Sequence, residues 1–186
     1  MIVVGGEALV DLVDDHGLLT PVPGGGPFNT AIAFGRLGIP VAYLGTLSND
    51  DYGSLLARLL IEAGVDMSLV RWSDAPTPLA VVRRQDNGEN TYTFYLTGTS
   101  LTDLPPEAVP ELPEHVWAIH VGTLGLAVDP PAAAYEALID REAVKSAANV
   151  TQHNLVRPHG LRSRAETQIG LNQRRRSVPI RGRHMP

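Results

Sequence analysis

The residues best equipped for chemistry lie in the first thirty positions. Asp11 interrupts an apolar run, Gly24, Gly25 and Gly26 stand together, and Asn29 follows. A glycine run before a helix start leaves backbone N–H groups unobstructed at the positive end of that helix, which suits an electronegative ligand. A carboxylate and a carboxamide add acceptors and donors with side-chain reach, as a ligand rich in hydroxyls requires. Asp11, the glycines and Asn29 converge if the first strand ends beside the start of the first helix. The plainer alternative is that the glycines only make turns and that Asn29 caps or decorates a helix.

Several other chemistries are excluded. A P-loop needs Gly-Lys-Ser/Thr, and the only lysine, Lys145, is far from any glycine loop. The pattern G-x-G-x-x-G fits neither Gly5-Gly6-Glu7-Ala8 nor the stretch from Gly24 to Asn29, which ranks a dinucleotide-binding enzyme low. With no cysteine there is no disulfide or thiolate chemistry, and zinc would depend on His and carboxylates. His120, in "AIHVG", has no second ligand at metal spacing and reads as a satisfied core histidine. Asp50 and Asp51 stand at a helix start, where capping explains them.

The elements that position these residues follow from periodicity. "IVV" into "ALVDLV" reads as a strand buried on both faces, with Gly5 and Gly6 allowing a bulge. "DDHGLL" marks a turn at Gly17 and hence a short hairpin. "PFNTAIAFGRLG" offers proline at a helix start, Ala31, Phe34 and Leu37 at helical spacing, and Gly38 as the stop. "VAYLG" is a second buried strand. A helix with the stripe Leu55, Leu56, Leu59, Leu60 and Ala63 follows, capped by Asn49 or Asp50 and ended by Gly64. The order β, α, β, α predicts an α/β layered domain with a largely parallel sheet.

From about Val65 to Leu96 the pattern changes. "PLAVVRRQ" and "ENTYTFYL" flank Asp86-Asn87-Gly88, a hairpin signal, and antiparallel strands inserted here would form a separate flap. "VWAIHVG" returns to a buried strand, and "PPAAAYEALIDREA" to a helix.

The 186 residues carry a net charge of −5, but residues 1–143 hold 6 basic and 19 acidic side chains, and residues 144–186 hold 9 basic and one acidic. The second segment has no sustained period of 2 or 3.6. Its Arg174-Arg175-Arg176 block lacks aromatic interleaving, so a solvated tail is expected there rather than a nucleic-acid surface. "MIVVGGEALVDLVDD" has no basic region before its apolar run, and no stretch approaches the roughly 20 apolar residues of a bilayer span, so a cytoplasmic location and no membrane contact are expected.

"GGEALVDLV", "GGGPFNTAIAFGRLG" and "YLGTLSNDDYG", in this order and spacing, resemble the N-terminal half of the PfkB carbohydrate kinases, the ribokinase and fructokinase group. The glycine-rich signature runs through Gly24, Gly25, Pro27, Asn29, Ala31 and Gly38, and the likeness in element order covers residues 1–143, including "HVGTLGL". It implies an α/β ribokinase-like sheet flanked by helices, with a small β lid formed by the hairpin around His16–Thr20 and the pair around Leu79–Tyr95.

The resemblance also implies roles. Asp11 would bond sugar hydroxyls, Gly24 and Gly25 would let the sugar approach the backbone, Asn29 would bind another hydroxyl, and Tyr95 would cover the sugar from the lid. ATP and magnesium would be the cofactors, a small sugar the partner, and lid strands can pair between subunits to give a homodimer. Ser48 stands where the family often has glycine. The family continues with an Asp-x-Asn-x-Arg-like segment and a nucleotide-binding half whose Gly-Ala-Gly-Asp motif supplies the catalytic base. Here Asn154 and Arg157 have the wrong spacing and Gly-Ala-Gly-Asp is absent, so no catalytic residue is assigned. A truncated or frame-shifted, catalytically impaired kinase is therefore expected, with a non-catalytic sugar-binding or interaction protein as the alternative.

Overall fold

Two sheets organise the residues that the computed structural model describes, 1–15, 17–84 and 89–152. The first is parallel. β1 (Ile2–Gly5), buried along its length, pairs with β4 (Val41–Ser48) on one side and β8 (Ala118–Val121) on the other, and β5 (Val70–Ser73) completes the order β5-β4-β1-β8. Parallel neighbours need crossover connections, and α1 (Gly26–Arg36) and α2 (Asp51–Glu62) lie on two of them.

Side-chain alternation along the strands divides the core into two layers. Ile2, Val4, Val41, Tyr43 and Leu47 pack on Phe28, Ala31 and Ile32 of α1 and on Leu56, Ala57 and Leu60 of α2. Val3, Ala42 and Leu44 face the other way, onto Ala134, Tyr135 and Leu138 of α3 (Pro131–Gln152). α2 starts where Asp50 accepts the N–H of Gly53 at 2.7 Å, and it ends beside Gly64 at φ 80°.

The second sheet has the order β3-β2-β6-β7, from β2 (Leu9–Asp15), β3 (Leu18–Gly24), β6 (Leu79–Arg84) and β7 (Asn90–Tyr95). Each hairpin is antiparallel, but β2 and β6 pair in parallel, so the flap is a mixed sheet rather than a purely antiparallel one. Two hairpins from distant parts of the chain join through their inner strands. Val10, Leu12 and Leu79 seat this sheet on the α1/α2 core layer.

Three further expectations are corrected. The run from Ile2 to Asp15 is not one doubly buried strand, because the chain breaks between Gly5 and Leu9 and its two parts enter different sheets. His120 is exposed on β8, an edge strand, and is not a core histidine. α3 continues past Val144 to Gln152. The chain divides into a compact unit Met1–Lys145 and a second one, Ser146–Pro186, of which only the helical backbone to Gln152 is described. His16, the Asp86-Asn87-Gly88 turn, Asn154, Arg157 and Arg174–Arg176 lie outside the described residues. Among the described residues no helix is long and apolar enough to cross a membrane.

Candidate functional site

Strand register builds the site. Leu9 pairs with Gly24 and Asp11 with Val22, which makes Asp11 and Gly24 diagonal neighbours on one face of the small sheet. A Cβ on Gly24 would lie 2.5 Å from Oδ2 of Asp11, so any larger residue there would move the carboxylate from its place. Gly25, at φ 112°, is the N-cap of α1, and a Cβ there would meet the Glu7 carbonyl oxygen at 2.5 Å. The Gly25 carbonyl accepts the Asn29 N–H at 3.0 Å, which places Asn29, exposed, on the first turn of the helix. Asp11 thus lies against Gly24 at the end of the small sheet, and Gly25 leads from there into the first turn of α1, which carries Asn29.

Asp11 is half-buried there, and burial pushes its carboxyl above the usual aspartate value. The positive end of α1 offers less to a ligand than the glycine run suggests. The Gly26 N–H donates to Oε1 of Glu7 at 3.1 Å, and Pro27 has no N–H to give. Glu7 escaped the sequence reasoning. Its one signal was a lone carboxylate between Gly6 and Ala8, in an apolar run where nothing else could pair with a buried charge.

Tyr95 lies on the face opposite Asp11. Asp11 pairs with Ala80, and Ala80 with Phe94, so the file across the sheet from Asp11 ends at Phe94. Asp11 lines a cleft of about 510 Å³ with Val13, Asp14, Thr20, Val22, Val82, Asn90 and Tyr92. Tyr95 lines a different one, with Leu19, Val81, Arg83 and Thr93 on the opposite face. A strand's period of two makes a one-residue error a change of side. The rings on the Asp11 face are Tyr92 and Phe94, stacked with centroids 6.0 Å apart and planes 11° from parallel.

The donor set for ATP and magnesium can be tested on the described residues. No group of three or more His, Asp or Glu side chains among them could hold a metal ion. The successive amides of Thr123, Leu124 and Gly125 form an anion nest, but Glu7 already fills it. The nest at Thr123–Gly125 therefore has no amide left for a phosphate.

Residues 2–166 match the family model "pfkB family carbohydrate kinase". The chain belongs to that family. It is 38% identical over 148 residues to a fructokinase of Rhizobium leguminosarum bv. trifolii, a match that covers 77% of this chain and 45% of the relative. A crystal structure of fructokinase from Xylella fastidiosa superposes with a TM-score of 0.64 at 26% identity, covering 72% of this chain and 46% of that one. The Xylella fastidiosa fructokinase with bound ATP superposes with a TM-score of 0.54 at 30% identity over 59% of this chain and 37% of that one. The fold is the ribokinase-like α/β layering, and the Xylella fastidiosa fructokinase has been solved with ATP bound. The chain spans about half the length of the relatives it matches.

Proposed function

We propose that residues 1–143 form the sugar-holding side of a pfkB-type kinase, whose reaction joins ATP and a sugar hydroxyl to give a sugar phosphate. The observation that carries this reading is the Asp11 carboxylate lodged against the bare backbone of Gly24 on the lid face that opens into a cleft. Asp11 accepts from sugar hydroxyls, Gly24 and Gly25 let the sugar ring approach the main chain, and Asn29 takes a further hydroxyl from the first turn of α1. Phe94, in the file of Asp11, is the lid residue we assign to cover the sugar in place of Tyr95. Fructose is the first sugar to test, because the relative named above is a fructokinase.

Phosphoryl transfer needs a base for the attacking hydroxyl and donors for the phosphates. The 186 residues contain no Gly-Ala-Gly-Asp. We therefore assign these residues sugar binding, within a kinase domain that α3 and the family match carry past residue 143. A closing lid would exclude water, which otherwise competes with the sugar for the phosphoryl group.

The same reading includes a second copy of the chain as partner of the lid and a cytoplasmic location, where ATP is available. Support for the partner comes from Leu18, Val22, Tyr92 and Phe94, large apolar side chains exposed on the small sheet. Hydrogen exchange tests the sugar claim directly. Fructose should slow exchange in β2, β3, β6 and β7, and an unchanged pattern at saturating fructose would end the proposal.

A further inference from the structure

Glu7 is only 2% exposed, and no ion pair to it is found among the described residues. A buried carboxylate left unmatched would be costly, and among the described residues neutral donors match this one. Oε1 accepts the Gly26 N–H at 3.1 Å and the Thr123 hydroxyl. Oε2 accepts the N–H groups of Thr123 at 3.3 Å, Leu124 at 3.0 Å and Gly125 at 3.1 Å. One oxygen therefore reaches into the glycine turn that starts α1, and the other fills the turn that follows β8.

The surrounding packing leaves no room for side chains at this junction. A Cβ on Gly6 would fall 2.0 Å from the Gly122 carbonyl oxygen and 2.3 Å from Cγ of Pro27, and one on Gly125 would fall 2.9 Å from Cα of Gly6. Main chain lies on main chain, with the Glu7 carboxylate as the polar filling. The Tyr43 hydroxyl pins the same segment by donating to the Gly6 carbonyl at 2.7 Å.

From this geometry we infer that Glu7 is a positioning residue. It sets the conformation of the turn Gly24–Gly26 by clamping Gly26 to the turn Thr123–Gly125. Asp11 and the Gly24 backbone can make a site of fixed shape only if that turn is held, because Gly25 sits at a φ that the chain does not adopt by default. The functional meaning of the clamp rests on the sugar-binding reading; the clamp itself does not.

The experiment compares the full chain with Glu7→Gln and Glu7→Asp by amide hydrogen exchange without ligand and by fructose titration. Glu7→Gln keeps the shape but replaces one oxygen with a donor, so one of the two turns loses its acceptor. Glu7→Asp keeps the charge and loses the reach. Both should speed exchange at Gly26 and at Thr123–Gly125 by about tenfold or more while β1 and β4 stay protected, and both should weaken fructose binding by about tenfold. Wild-type exchange at these four amides in either variant, equal loss of protection across β1 and β4, or failure of both variants to fold would overturn the inference. Coupled release of the two turns in a protein that does not bind fructose would uphold the clamp and remove the sugar reading instead.

Discussion

At the scale of single residues, sugar binding rests on Asp11. Burial holds its carboxyl above the usual aspartate value, so acid protonates it earlier than an exposed aspartate. If the ionised form accepts the sugar hydroxyls, affinity for fructose is full at neutral pH. It declines as pH falls toward that raised value, beginning above the range of an ordinary aspartate. Titrations across pH 4 to 7 on wild type and Asp11→Asn should show the decline only in wild type. Asp11→Ala removes a charge-assisted bond of about 1.5–3 kcal/mol and should weaken binding by about 10- to 100-fold in calorimetry. Gly24→Ala should weaken binding too, because its methyl must displace Oδ2 of Asp11. Residue types and spacing made Asp11, the glycines and Asn29 candidates beside a plainer turn-and-cap reading, and only the resemblance to the PfkB kinases made the set specific. Glu7 was hidden because its meaning depends on Thr123–Gly125, more than a hundred positions away in the chain.

At the scale of elements, caps and helix stops were readable because their chemistry is local. Asp50 is a cap, and more. Its Oδ1 accepts from the Gly53 N–H and the Thr77 hydroxyl, and its Oδ2 from the Thr77 N–H, which ties the start of α2 to the segment that leads into β6. Burial raises its carboxyl, but bonds from Thr77, Gly53 and Ser48 outweigh that and hold it below the usual value. A depressed folded value means the stabilisation is complete above the unfolded value and disappears as pH falls through the folded one. Asp50→Ala should cost about 1–2 kcal/mol in denaturant unfolding at pH 7, with the difference from wild type shrinking at acid pH below the ordinary aspartate range. Strand faces were harder to read, since "TYTFY" alternates without saying which side is which. The register decides that Phe94, not Tyr95, shares the file of Asp11. Phe94→Ala should lower fructose affinity several-fold, and Tyr95→Ala should leave it within about twofold.

At the scale of the whole molecule, the order β, α, β, α correctly announced a parallel sheet between helical layers, because each crossover helix carries its own apolar stripe. The splitting of the first apolar run between two sheets was not announced. Both halves are apolar, and only the backbone turn at Gly6 and the burial of Glu7 separate them. The exposed apolar rows of the lid and the edge strand β8 give this unit surfaces that suit association. Light scattering should therefore show a species larger than a monomer, and Tyr92→Lys with Phe94→Lys should reduce it if the lid is the contact. The most direct measurement of the central claim is isothermal titration of fructose into the 186-residue chain and into Asp11→Ala. Saturable binding of one sugar per chain, lost or at least tenfold weaker in the variant, is the predicted result. No binding to wild type, or equal binding to both, would contradict the assignment of this corner as a sugar site.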